Sequence, residues 1–128
     1  MNLPRIPWAW SCVLNDADLG STVRAIFDAA EAGHVTVYVP AMVFAEILYL
    51  SEKRKIDMSL SDVAEHLAQH PKYQAYPMNV AVVQTAAQIT DIRELHDRLI
   101  AGTARLLDRA LITNDPIIQA SAFVQTVW

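Results

Sequence analysis

The reading of the fold turns on one stretch, His34-Val35-Thr36-Val37-Tyr38-Val39-Pro40-Ala41-Met42-Val43-Phe44-Ala45-Glu46-Ile47-Leu48-Tyr49-Leu50. Its first six residues are rich in β-branched side chains with little polar alternation, the pattern of a strand buried on both faces. Pro40 ends that strand and is tolerated in the first turn of a helix. A helix is therefore expected from Ala41 to about Lys53, apolar nearly all round and so interior. Lys53-Arg54-Lys55 then places cations where the helix dipole favours them.

The flanking segments repeat this alternation. Upstream, Val23, Ile26, Phe27 and Ala30 fall at helical spacing between Ser21, a plausible N-cap, and Gly33, a stop signal. Downstream, Ser59-Leu60-Ser61-Asp62 reads as a capping box before Val63, Ala64, Leu67 and Ala68, in a helix that runs to His70 and is stopped by Pro71. Tyr73 to Met78 reads as a short strand with Pro77 at its end. Asn79 is expected to cap a helix that turns Val80, Val83, Ala87 and Ile89 inward. A polar connection, Thr90 to Asp97, leads to a helix burying Leu99, Ile100, Thr103, Ala104 and Leu107. Arg109 to Thr113 is a second buried strand, Asn114-Asp115-Pro116 a turn into a short helix, and Val124 to Trp128 a final strand. Strands alternating with helices predict an α/β fold with a mainly parallel, helix-covered sheet.

Composition bounds the rest. A chain of 128 residues fits one domain, and 53% hydrophobic with 19% charged residues is enough apolar material to fold alone. The single cysteine, Cys12, excludes an internal disulfide framework and points to a reducing, cytoplasmic setting. With 10 lysines and arginines against 14 acids, the net charge of −4 argues against bulk electrostatic binding to nucleic acid, unless bound divalent cations offset a local acid cluster. Met1 to Leu14 is mildly apolar, but Pro4 and Pro7 interrupt it and no small-x-small site follows, so no secretion signal is expected. Val35 to Leu50 is broken by Pro40 and Glu46 and is too short to span a bilayer, so no membrane association is expected.

Functional groups in such sheets gather beyond the carboxyl ends of the strands, and two acids, Glu46 and Asp115, fall there. Glu46 interrupts an apolar helix, where a buried carboxylate demands a partner: a salt bridge, a partly exposed face, or a cation. Asp115 follows a strand directly and reads either as an N-cap ahead of Pro116 or as a ligand. Asp97 opens a helix and could serve only to start it. Brought to one sheet edge, the three would repel one another unless neutralised by a hard cation such as Mg²⁺ or Mn²⁺, which prefers oxygen ligands and suits phosphodiester hydrolysis. Competing sets are weaker. His66 and His70 stand four apart on one helix face, but Leu67-Ala68-Gln69 between them lacks the glutamate of a zinc-protease motif. Cys12 carries no sign of activation, no Gly-rich phosphate loop exists, and His96 reads as a supporting or surface residue rather than a general base.

Pro40 to Leu50 around Glu46, Leu95-His96-Asp97-Arg98-Leu99-Ile100-Ala101-Gly102-Thr103-Ala104, Leu111-Ile112-Thr113-Asn114-Asp115-Pro116 and the terminal Val127-Trp128 resemble, in order and spacing, the PIN-domain ribonucleases, in particular VapC-type toxins of toxin–antitoxin pairs. The similarity runs from about Leu19 to Trp128. It implies a Rossmann-like PIN fold over a single domain, 1–128, and a metal-dependent endoribonuclease that takes RNA as substrate. It also implies a homodimer and a small antitoxin that occupies the acidic groove. By the same resemblance Glu46, Asp97 and Asp115 are the catalytic, metal-binding acids holding Mg²⁺ or Mn²⁺, and Thr113, Asn114 and Arg98 support them. Tyr73, Tyr76 and Trp128, read as exposed aromatics, add to the expectation of a dimer.

The chain departs from the family at residues 1–15. The family's first strand ends in an aspartate, expected here near Ile6, where the sequence reads Leu3-Pro4-Arg5-Ile6-Pro7-Trp8 and no acid precedes Asp16. Three explanations compete: a degenerate strand that weakens metal binding, an altered start of the reading frame, or substitution by Asp16 or Asp18. The alternative function is accordingly a catalytically degenerate PIN domain that binds protein or RNA. A receiver-like or nucleotide-binding α/β domain is disfavoured by the missing phosphate loop.

Overall fold

Ser21–Glu31 forms α1, the first element of a computed structural model that describes residues 21–128. The readings placed on Met1 to Leu14, Cys12, Asp16 and Asp18 lie outside those residues. The elements that follow are β1 (Val37–Pro40), α2 (Ala41–Glu52), α3 (Leu60–Ala68), β2 (Tyr73–Tyr76), α4 (Val80–Ala87), α5 (Leu95–Leu106), β3 (Leu111–Ile112), α6 (Pro116–Gln119) and β4 (Thr126–Val127). The chain is α/β, and both strand pairs among the described residues are parallel. Val37 of β1 lies opposite Tyr73 of β2, and Leu111 of β3 opposite Thr126 of β4.

Local sequence signals account for the boundaries. Val23, Phe27 and Ala30 on one stripe of α1 are buried, and the chain leaves the helix through Gly33 at φ 87°, a conformation open to glycine. The Ser59–Asp62 capping box is formed in both directions at α3. Asn79 accepts the Val82 amide at the start of α4. Pro40 closes β1 and stands at the N-cap of α2. The first strand is shorter than its apolar run, because Val35 is left exposed ahead of Val37.

Three expectations fail for packing reasons. Helix α2 is not interior: only Val43 and Ile47 are buried on it, while Leu48 and Tyr49 are 43% and 58% exposed. Val43 and Ile47 meet the core with Met42 and Phe44 packed beside them, while Leu48 and Tyr49 face outward. Helix α4 turns Val82 and Ala86 inward and exposes Val80 and Val83, because it lies almost in backbone contact with α5. A Cβ built on Gly102 would stand 3.0 Å from the Ala86 nitrogen, so only small side chains fit this face. Tyr73 is 5% exposed, with its ring edge-on to Phe27, and Tyr76 and Trp128 are half-buried. These aromatics belong to the core and its margin.

Helix α5 is buried from Leu99 to Ala104, and the Thr103 hydroxyl within that run donates to the Leu99 carbonyl at 2.9 Å. The connection before α5 is not merely polar. Ile92 is buried, and Asp91 accepts hydrogen bonds from the Ser121 hydroxyl and the Ala122 amide, each at 2.7 Å, tying it to the chain after α6. No helix among the described residues is long and apolar enough to cross a membrane.

Candidate active site

The structure brings two of the three acids, Glu46 and Asp97, into one cleft. Glu46 projects from the second turn of α2 and Asp97 from the first turn of α5. Both line an open cleft of about 760 Å³ whose walls include Met42, Tyr49 and Leu50 on one side and Glu94 and His96 on the other. Burial pushes the Glu46 carboxyl above its ordinary value. Asp97 and Glu94 push it further, while His96 acts in the opposite sense. The Asp97 carboxyl is likewise held up, by burial, by Glu94 and by Asp115. Asp115 is outside the cleft wall but close enough to Asp97 to act on it.

The turn after β3 fixes Asp115. The Thr113 hydroxyl oxygen accepts the Asp115 amide at 3.0 Å, and the Thr113 carbonyl accepts the Gln119 side-chain amide at 3.1 Å. Asp115 in turn caps α6, with Oδ1 accepting the amides of Ile117 and Ile118, which leaves Oδ2 outside the cap. The N-cap expectation for Asp115 therefore holds, and of the other two acids its charge acts on Asp97. Asn114 is half-buried in the same turn. Arg98 is half-buried beside Asp97, and its buried Nε has no hydrogen-bond partner among the described residues.

Glu94 escaped the sequence reading. It, rather than Asp97, opens α5: its carboxylate accepts the amides of His96 and Asp97 and pairs with His96 Nδ1 at 3.1 Å. Burial pushes Glu94 upward, but the Asp97 and His96 amides, with the charges of His96 and Arg98, outweigh it and hold the carboxyl below its ordinary value. Glutamate is not among the preferred N-caps, which is why its acidic side chain one residue before Leu95 carried no signal. Among the described residues no lysine or arginine forms an ion pair with Glu46, Asp97 or Asp115. The three are oxygen donors of the kind a hard divalent cation takes, but the structure does not gather them into one ligand group: among the described residues, the His, Cys, Asp and Glu donors that come together within 4.8 Å are those of Glu31, His66 and His70.

The PIN domain family profile matches residues 9–124. The chain belongs to the PIN-domain family. Two solved structures similar to this PIN domain are DNA-bound VapBC from Salmonella typhimurium and VapBC2 from Rickettsia felis bound to a DNA fragment from their promoter. The first is 14% identical with a TM-score of 0.64, over 91% of this chain and 90% of that one. The second is 17% identical with a TM-score of 0.64, over 88% and 87%. At these identities the likeness establishes the PIN fold. No curated protein matches the sequence.

Proposed function

We propose that this PIN domain is a metal-dependent endoribonuclease, the toxin of a type II toxin–antitoxin pair, working as a single domain over residues 1–128. One observation carries the reading: Glu46 and Asp97 line one open cleft, where the Asp97 charge opposes ionisation of Glu46 and the Asp115 charge opposes ionisation of Asp97. In this reading Glu46, Asp97 and Asp115 hold Mg²⁺ or Mn²⁺. Such a cation, when bound, orients water, lowers its pKa and offsets charge on the leaving oxygen of a phosphodiester.

The chain's own residues prepare the site. Thr113 fixes the Asp115 backbone, and Asp115 keeps Oδ2 available while Oδ1 is held by α6. Glu94 orients the first turn of α5 and thereby Asp97. Asn114 and Arg98 flank these acids, and the Arg98 guanidinium supplies positive charge beside a cleft that would otherwise repel RNA phosphates.

The exposed Leu48 and Tyr49 adjoin the acids on α2. An antitoxin segment that pairs apolar side chains with a basic one would cover both features at once, and the fold's likeness to chains in VapBC assemblies supports such a partner. A homodimer and a cytoplasmic setting complete the proposal; a sedimentation mass of one chain at micromolar concentration contradicts the dimer.

The second reading is a degenerate PIN domain that binds without cleaving, favoured by the lack of any acid before Asp16. Incubation of structured RNA with the purified chain separates the two. The nuclease reading expects cleavage with Mn²⁺ that chelator and Asp97→Asn both abolish. Cleavage equal in wild type and Asp97→Asn, or none at all, supports the binding module instead.

A further inference from the structure

We propose that Glu31, His66 and His70 form a binding site for a borderline transition-metal ion, with Zn²⁺ the best fit, separate from the acidic cleft. The two regions are built from different parts of the chain: Glu46 follows β1 and Asp115 follows β3, whereas Glu31 comes before β1 and His66 and His70 come before β2, gathered around Tyr73. The inference stands apart from the nuclease reading.

The donor atoms are already together. One nitrogen from each histidine and a carboxylate oxygen of Glu31 all lie within 4.8 Å of one another. His66 Nε2 stands 3.8 Å from Glu31 Oε2, and the two imidazole centroids are 4.8 Å apart. Ligands about 2.0–2.1 Å from a tetrahedral Zn²⁺ are separated by roughly 3.4 Å, so closing the site requires shifts of about 1 Å, within reach of side-chain rotation. The spacing is structural in origin: His66 lies in the last turn of α3 and His70 just past its C-cap, while Glu31 ends α1.

The surroundings resemble those of a built site. The Tyr73 hydroxyl donates to Glu31 Oε2 at 2.8 Å and holds the carboxylate in place, and Tyr73 is itself anchored in the core. Outer hydrogen bonds of this kind orient metal ligands and raise their affinity. All three ligand residues are half-buried, so bulk water is limited on the inner side while a fourth position stays open to solvent. Two imidazoles and one carboxylate select Zn²⁺, or Co²⁺ as its spectroscopic stand-in, over Mg²⁺, which prefers oxygen. The acidic cleft has the opposite preference. A bound ion would tie the end of α1 to the end of α3 and the approach to β2.

The test uses the full chain, stripped with chelator and then titrated with Co²⁺ in excess Mg²⁺, followed by visible d–d absorption and by competition with Zn²⁺. One equivalent of Co²⁺ with tetrahedral absorption, displaced by Zn²⁺, is expected in wild type and equally in Asp97→Asn. His70→Gln and Glu31→Gln should each weaken binding by ~100-fold, and Tyr73→Phe by ~10-fold. Far-UV circular dichroism establishes that each variant is folded, and Glu31→Gln retains an oxygen for the Tyr73 hydroxyl. The proposal is overturned if wild type gives no Co²⁺ absorption, if folded His70→Gln and Glu31→Gln bind as wild type does, or if Asp97→Asn alone loses the signal.

Discussion

Across the cleft between α2 and α5, the Asp97 carboxylate adds to burial in holding the Glu46 carboxyl above its ordinary value. Neither acid has a lysine or arginine partner among the described residues, so the repulsion is left standing in the folded chain. Such an arrangement costs stability unless a cation enters it.

That cost sets a pH dependence. With Glu46 and Asp97 both raised, these two groups bind more protons in the metal-free folded chain than in the unfolded one above the ordinary carboxylate values of 4.5 and 3.8. Their contribution to stability in chelator therefore falls as pH rises through that range and its raised upper end. Glu46→Gln should melt higher than wild type in chelator at neutral pH and lose the stabilisation that Mn²⁺ gives wild type. Thermal melts across pH, with and without Mn²⁺, check this; a lower melting temperature for Glu46→Gln in chelator contradicts it.

Glu94 is expected to act through Asp97. Glu94→Ala removes the cap of α5 and should cost about 1 kcal/mol in urea denaturation. Glu94→Gln keeps an acceptor oxygen but removes a charge that raises Asp97. Its RNA-cleavage profile should show the acidic limb displaced to lower pH, with activity at neutral pH retained. An unmoved limb in Glu94→Gln would mean that the Glu94 charge does not reach the site.

Gly102 sets the α4–α5 spacing. Gly102→Ala forces a Cβ to within 3.0 Å of the Ala86 nitrogen and Cβ, and backbone cannot yield as a side-chain tip can. A loss of roughly 1–3 kcal/mol by chemical denaturation is expected, against the gain that alanine normally brings to a helix interior. A stabilised variant would show that the two helices can separate without cost.

Asp91 is an acid of the other kind. The Ala122 amide and the Ser121 hydroxyl hold its carboxyl below the ordinary value. Its contribution to stability is present above the unfolded value and lost as pH falls through the folded one. Asp91→Asn should flatten the acidic limb of the stability profile while leaving metal-stimulated cleavage intact, as cleavage and melting curves measured on the same preparation would report.

Much of this was legible in the sequence because it is written in local signals. The Ser59–Asp62 box, the Asn79 cap, the glycine stop at Gly33 and the turn through Asp115 depend on a few adjacent residues, and each forms as read. The outward face of α2 and the phase of α4 were not legible, since Leu48 and Val80 are as apolar as Ile47 and Val82. Which of them is buried depends on neighbours distant in sequence, such as Gly102. The same reason hid Glu31, which meets His66 and His70 only after α1 and α3 are placed, whereas Glu94 was missed locally, as an uncommon cap.

The central claim is that Glu46, Asp97 and Asp115 share one divalent cation. A crystal of the chain soaked in Mn²⁺, with diffraction recorded at the manganese edge, tests it most directly. The account expects an anomalous peak within coordination distance of oxygens from all three carboxylates, lost in Asp97→Asn. Carboxylates that remain apart with no peak between them, in a soak where the crystal still diffracts, would contradict it.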